Sequence, residues 1–365
     1  MRSIAFIIPN LQMGGAEAAL VTLANEWVNT AKISIITFDT GTTFFKLNPA
    51  ISVVPLNSTA TTGGALSPVL NVFNRYKRLP GAIKKINPDI VIPFMDTSIM
   101  WAFFSRAFVK IPMIMVFQVT PSRAIMSPFL FPLRKKLYSR AEAAVVLTED
   151  TVPVFNRLNI GLPAKIFVIP NALNADIVLE NPPPREDIIL ALGRLVHQKQ
   201  FDKLIRMYNR LQPTHWKLWI VGEGDKREEL EKLIGHYGLQ DKVSLWGAQK
   251  KVNEFYGKAK IFAMTSAYEG FCVALCEAMA NGCASVSFDC EVGPSDSITN
   301  NENGLLIENQ NEEKFLSGIS YLMENPAERE RIAGNGRRII DKLNIQTIVH
   351  KWESAVDDLL LHSSN

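Results

Sequence analysis

Along the whole of this 365-residue chain, short apolar runs end at a turn and pass into helical periodicity, and that repeat restricts the fold more than any other feature. Ser3 to Ile8 suits a buried parallel strand, and Ala16 to Val28 carries apolar residues at helical spacing, at Ala19, Leu20, Leu23 and Trp27. Strands are predicted again at Ile33–Phe38, Asp89–Phe94, Pro112–Phe117 and Ala143–Leu147, with a basic helix around Tyr76–Ile86. A chain that alternates in this way folds as a doubly wound α/β sheet. Asn181-Pro182-Pro183-Pro184-Arg185 is a stiff, non-helical connection, after which the pattern starts afresh at Asp187–Ala191. Helix Phe201–Leu211, strand Trp216–Val221, helix Lys226–Tyr237, and strands Val243–Trp246, Lys260–Met264, Ala284–Phe288 and Gly304–Ile307 continue it. Two domains are expected, 1–175 and 185–345, with an amphipathic C-terminal helix over 346–365 joined to the first.

In the second half the turns after strands carry glycine, at Gly193, Gly222, Gly224 and Gly247, as expected where backbone must approach a ligand closely at the carboxyl edge of an open sheet. The stretch AYEGFCVALCEAMANG, Ala267 to Gly282, sets two carboxylates, Glu269 and Glu277, before and two turns inside a predicted helix. Amides at Phe271, Cys272 and Val273 would lie free at its start, ready for phosphate oxygens, while each Glu could accept from a vicinal hydroxyl pair. Taken alone, the same spacing fits a capping Glu269 and a solvated Glu277. Arg194 and Lys199, five residues apart after a strand, suit a diphosphate, the arginine as a fork and the lysine as a point charge.

Composition excludes several classes. No apolar run reaches the roughly 20 residues of a spanning helix, and the first apolar run stops at Pro9, so neither a membrane span nor a signal peptide is expected, and the chain should stay in the cytoplasm. Cys272, Cys276, Cys283 and Cys290 lack any C-x2-C spacing and read as buried thiols of a reducing compartment; no metal or cofactor is expected. Asp39 ends the second strand where a ribose-binding acid would sit, but the first loop offers only Gly14-Gly15, so the dinucleotide fingerprint is missing. Charge is uneven: no acidic residue lies between Asp96 and Glu142, a span holding Arg106, Lys110, Arg123, Arg134, Lys135, Lys136 and Arg140. Ala124 to Ala141, with Phe129, Leu130, Phe131 and Leu133 followed by Arg134, Lys135, Lys136 and Arg140, combines an apolar wedge with a cationic flank and is expected to dock on an anionic membrane surface.

The ordered set Gly14-Gly15-Ala16-Glu17, Gly193-Arg194-Leu195 with Lys199, Val221-Gly222-Glu223-Gly224, Gly247, and Glu269-Gly270-Phe271 running to Glu277 resembles the retaining glycosyltransferases of family 4 over nearly the whole chain. The resemblance implies a GT-B architecture, two Rossmann-like domains facing a cleft, and a UDP-sugar substrate handled without a metal. It implies that Glu269, Arg194 and Lys199 serve catalysis: the cations hold the donor diphosphate, Glu269 the transferred sugar and Glu277 the ribose. Gly15 and the amides from Gly270 through Phe271 and Cys272 to Val273 would complete the donor site. More narrowly, LQMGGAEAALVTLANEW, Phe94-Met95-Asp96-Thr97 and GRLVHQK look like bacterial enzymes that extend undecaprenyl-diphosphate-linked oligosaccharides, including N-acetylgalactosaminyltransferases. This implies a polyprenyl-diphosphate-linked acceptor, a peripheral place on the inner membrane face, and no nucleic-acid partner. Where many such enzymes carry a histidine near the donor sugar, this chain reads Val116-Phe117-Gln118-Val119, and Gln118 can hydrogen-bond a hydroxyl but not carry a proton at neutral pH. A UDP-sugar epimerase would need acid and base groups in the cleft, and of the five histidines only His197 sits in a motif; a non-catalytic sugar-nucleotide sensor stays open as an alternative, with the retained Arg194, Lys199, Glu269 and Glu277 arguing against it.

Overall fold

The computed structural model describes residues 1–12, 14–58, 67–118, 131–212 and 215–363, and the chain divides into two compact units, Met1–Ala172 with Asn344–Asn365, and Leu173–Leu343.

In the first unit, β1 (Arg2–Ile8), β2 (Ala31–Thr37), β3 (Ser52–Pro55) and β4 (Ile90–Pro93) form a parallel sheet in the order 3-2-1-4, and β5 (Ile114–Val116), β6 (Ala143–Val146) and β7 (Ile166–Val168) form a second. Isolated bridges from Val91 to Met113 and from Phe94 to Val116 join the two. Helices α1 (Gly15–Trp27), α2 (Ser67–Ile86), α3 (Met95–Ser105), α4 (Phe131–Tyr138) and α5 (Thr151–Arg157) connect the strands. Because side chains alternate along a strand, β1 feeds two cores: Ile4, Phe6 and Ile8 face one, Ala5 and Ile7 the other. The C-terminal helix, Ile345–Ser363, belongs to the first of these, burying Ile348, Trp352, Val356 and Leu359, with Trp352 6.0 Å from Trp27 between ring centroids. Ion pairs Arg2–Asp357 and Lys165–Asp358 fix its outer face.

The second unit repeats the plan. Strands β8 (Glu186–Leu192), β9 (Lys217–Val221), β10 (Val243–Leu245), β11 (Ala259–Met264), β12 (Ala284–Asp289) and β13 (Leu305–Glu308) are all parallel, in the order 10-9-8-11-12-13. Helices α6 (Phe201–Leu211), α7 (Arg227–His236), α8 (Val252–Lys258), α9 (Val273–Ala280), α10 (Pro294–Ser297), α11 (Glu312–Glu324), α12 (Pro326–Gly336) and α13 (Ile339–Lys342) pack around them. The sequential order runs outward from β8 through β9 to β10 and then jumps to β11 on the other side of β8. The loops leaving β8 and β11 therefore part at the reversal of strand order, where open α/β sheets bind ligands.

The segment leading into β8 is fastened from beneath. Arg185 donates to the main-chain carbonyls of Tyr256, Ala259 and Asn281, so one guanidinium meets the carboxyl ends of both α8 and α9. The Asn281 amide bonds the Ile177 carbonyl at 3.0 Å and accepts the Leu179 amide at 3.2 Å.

The sequence reading missed α3, because MDTSIMWAFFS buries Ser98, Ile99, Met100, Ala102, Phe103 and Ser105 and so shows little helical periodicity. It also missed β3, whose four residues end in proline. Among the described residues no helix is long and apolar enough to cross a membrane.

Candidate functional site

The site is built from the loops at the carboxyl ends of β8, β9, β10 and β11, which are laced together by backbone hydrogen bonds. Gly193 N donates to Val221 O at 3.0 Å, Leu195 N to Glu223 O at 2.9 Å, Lys226 N to Leu195 O at 2.9 Å, and Gly222 N to Gly247 O at 2.9 Å. A Cβ at Gly222, whose φ is +146°, would stand 1.9 Å from Gly193 O, and one at Gly224 would stand 2.3 Å from Leu195 O. These two glycines are required by loop lying on loop, a reason additional to any approach by a ligand.

The β8 loop makes a 3₁₀ turn over His197–Lys199 and enters α6 through Gln200 in the left-handed conformation. It is tied to the β11 loop: Ala267 N donates to Gln198 O at 2.8 Å, Gln198 Nε2 to Tyr268 O at 2.7 Å, and Thr265 Oγ1 to Lys199 O at 2.9 Å. On this frame Lys199 Nζ meets Glu269 Oε1 at 2.5 Å, the carboxylate being 8% exposed. Residues expected to serve different parts of one ligand thus touch each other. Arg194 is exposed and forms no ion pair among the described residues.

The start of α9 differs from the expected free amides. Cys272, at φ −68° and ψ 65°, makes an inverse γ-turn in which Val273 N donates to Phe271 O at 2.6 Å, so the Val273 amide is already used. The first intrahelical bond runs from Cys276 N to Cys272 O, and Glu277 lies about one turn inside the helix rather than two. From the β12 loop Gly293, at φ +108°, presses on this turn: a Cβ there would be 2.8 Å from Cys272 Sγ and 3.4 Å from Gly270 O. All four cysteines are buried and free; burial pushes the Cys290 and Cys276 thiols up to about 12 and Cys283 to about 11, with Cys272 also well above its usual value. Among the described residues no group of three or more His, Cys, Asp or Glu side chains is placed to hold a metal ion.

Glu277 accepts a 2.9 Å hydrogen bond on Oε2 from the hydroxyl of Tyr256, a fully buried residue that no sequence motif marked. Burial raises the Glu277 carboxyl to about 7, the Tyr256 bond pulling in the opposite direction. The carboxyl expected to stay ionised therefore changes charge near neutrality.

In the first unit Gly15 opens α1 with free space where its Cβ would be. The Gln118 side chain is buried in a reciprocal amide pair with Asn171, at 3.2 and 3.0 Å, so its hydrogen-bonding groups are already engaged. Arg134 is corrected outright as a surface cation. It is 2% exposed, its Nη2 bonds Asp96 Oδ1 at 3.0 Å, and it lies over Tyr138, whose hydroxyl bonds the same oxygen at 2.7 Å. Four-residue spacing on α4 puts Arg134 and Tyr138 on the face turned to α3. Lys135 is exposed and bonds Asn159 Oδ1 at 2.6 Å; Lys136 and Arg140 are exposed. Phe129 and Leu130 of the expected docking stretch lie outside the described residues.

Comparison with known proteins agrees with this layout. Residues 13–177 match the family described as Glycosyltransferase Family 4, and residues 176–339 match Glycosyl transferases group 1. A Campylobacter jejuni protein, GalNAc-alpha-(1->4)-GalNAc-alpha-(1->3)-diNAcBac-PP-undecaprenol alpha-1,4-N-acetyl-D-galactosaminyltransferase, is 27% identical over 96% of this chain and 97% of its own length. A second protein of that organism, N-acetylgalactosamine-N,N'-diacetylbacillosaminyl-diphospho-undecaprenol 4-alpha-N-acetylgalactosaminyltransferase, is 26% identical over 94% and 97%. Among solved structures, sucrose-phosphate synthase from Thermosynechococcus elongatus superposes with a TM-score of 0.86 at 17% identity, covering 99% of this chain and 100% of the other. HepE of Anabaena, in complex with UDP and glucose, gives 0.81 at 16% identity, covering 98% and 100%.

The raised Glu277 carboxyl predicts a stability effect with a definite sign. A group whose folded pKa lies above its unfolded value stabilises fully below about pH 4.5, and that contribution is lost as pH rises through about 7. Glu277→Gln, which keeps an acceptor for Tyr256, should therefore raise the melting temperature at pH 8.5 by roughly 2–5 °C and leave it nearly unchanged at pH 4.5. Differential scanning fluorimetry across pH 4.5–8.5 checks this; an equal change at both ends would mean the carboxyl is not shifted.

Proposed function

This chain belongs to the family 4 glycosyltransferases and has their GT-B fold, and we propose that it moves an N-acetylhexosamine, N-acetylgalactosamine in the first instance, from a UDP-sugar to a polyprenyl-diphosphate-linked saccharide with retention at the anomeric carbon. The observation that carries this reading is the convergence, at the reversal of strand order, of Arg194, Lys199 and Glu269 on loops bonded to one another.

In the proposed mechanism Arg194 and Lys199 bind the donor diphosphate and oppose the charge that grows as the nucleoside diphosphate leaves. Glu269 holds Lys199 before the donor arrives, so the ammonium is pre-positioned, and with donor bound it accepts from hydroxyls of the transferred sugar. Glu277 accepts from the ribose hydroxyls. Gly193, Gly222, Gly224 and Gly247 keep the loops low enough for the diphosphate and base to lie over them. The amides of Gly270, Phe271 and Cys272, without Val273, face the phosphate. Retention follows from front-face attack, in which a donor phosphate oxygen takes the acceptor's proton as the glycosidic bond forms and the old one breaks. The two cations make a divalent ion unnecessary.

The acceptor is assigned to the first unit, which works against an anionic membrane surface on its cytoplasmic side. With Arg134 removed from the set, Lys135, Lys136 and Arg140 remain as the exposed charges, each worth about 1 kcal/mol near an anionic leaflet.

Lys199→Ala and Glu269→Gln should each lower transfer at saturating donor about a hundredfold, as expected for one lost electrostatic contact of roughly 3 kcal/mol at the barrier. UDP release measured with excess EDTA present throughout checks both the roles and the independence from metal. Near-normal turnover in either variant, or no turnover of the parent enzyme until manganese or magnesium is added, would reject the corresponding assignment. Separately, Lys136→Glu with Arg140→Glu should weaken flotation with vesicles containing anionic lipid at low salt while leaving slow donor hydrolysis intact; unchanged flotation would remove the docking role.

A further inference from the structure

Several features of the second unit converge on one residue that the motifs pass over. Tyr256, on α8, is fully buried, its ring packs at 6.1 Å from that of Phe262, and its own carbonyl receives Arg185 Nη1 at 3.2 Å and Cys283 Sγ at 3.2 Å. The residue is thus held at its carbonyl and its ring, and its hydroxyl lies 2.9 Å from Glu277 Oε2. Burial keeps this phenol far from ionising, so it is the donor and the carboxylate the acceptor. Glu277 Oε1 has no protein partner among the described residues.

We propose that Tyr256 is a positioning residue for the donor: by donating to Oε2 it holds the Glu277 carboxylate and leaves Oε1 for the nucleotide's hydroxyls, so that donor affinity depends on the Tyr256–Glu277 bond. This rests on the reading that Glu277 binds the donor. A hydrogen bond to the ionised form favours that form, so the same bond sets the pH at which the clamp engages. The other titratable groups facing the carboxyl do not compete for this role. Cys276 and Cys283 stay protonated, being pushed to about 12 and 11. The neighbouring cations are engaged elsewhere, Arg185 on carbonyls of α8 and α9 and Lys342 of α13 on the Asp296 carbonyl at 2.5 Å. Glu277 is left as the member of the cluster that changes charge near neutrality.

The test is calorimetric titration of UDP-N-acetylgalactosamine, whose phosphates keep their charge over the range used, at pH 6 to 9. The parent protein should bind more tightly as pH rises, with a midpoint near 7. Tyr256→Phe should bind about tenfold more weakly at pH 7, the cost of one hydrogen bond to a charged group, and should recover by pH 9 the part of that loss due to protonation, because its midpoint has moved upward, while the part due to lost orientation persists. A purely structural role would give the same loss at every pH, and an unmoved midpoint overturns the proposal. Should the phenylalanine variant fail to fold, replacing Tyr256 by 3-fluorotyrosine, a stronger donor of the same shape, should move the midpoint downward; no movement there also overturns it. Glu277→Gln separates the two layers of the argument: it should bind weakly and without pH dependence, whereas parent-like binding with the parent's profile would remove Glu277 from the donor site altogether.

Discussion

Strands β8 and β11 lie side by side although β9, β10 and their helices come between them in the chain, and the chemistry available to the second unit follows from that pairing. Each strand emits a loop of its own charge, cationic after β8 and acidic after β11. Parallel pairing in register, Ile189 opposite Ile261 and Leu190 opposite Phe262, brings both loops out at the same end. Opposite charges delivered to one place with their bodies shielded from water attract strongly. Glu269 at 8% exposure and Lys199, somewhat more accessible, meet there as an ion pair between the two loops.

Much of this architecture could be read from the residues. Buried parallel strands are continuous apolar runs, so β1, β2, β8, β9, β11 and β12 announce themselves, and the two-domain plan follows from their repetition. The candidate residues were legible in the same way, because Arg194, Lys199 and Glu269 follow such strands and Glu277 lies in the next helix, in a chain order that resembles a known family. Their mutual contacts were not legible. Seventy residues separate Lys199 from Glu269, and nothing in either local sequence says that the two meet. The γ-turn at Cys272 packs closely against Gly293, a residue of another loop. In Arg134-Lys135-Lys136 three cations look alike, and only the direction of α4 against α3 decides that the first is buried on Asp96. Tyr256 reads as one more aromatic residue of a short helix.

Burial also changes what a carboxylate is good for. Glu269 is paired with a cation, whereas Glu277 meets a neutral hydroxyl and is raised by burial to about 7, so two glutamates of one segment sit in different company. The difference is a matter of partners rather than of residue type.

The guanidinium of Arg185 and the amide of Asn281 bind the stretch preceding β8 to the undersides of α8 and α9. For anyone recombining such proteins, this decides where a chimaera can be cut. A splice at the run of prolines would separate Ile177 and Leu179 from the asparagine that holds them and hand the recipient a foreign support for its own helix. Joining at Ala172 and again at Leu343 carries the whole fastening with the unit it serves. The unit could then be transplanted as a cassette whose internal geometry travels intact.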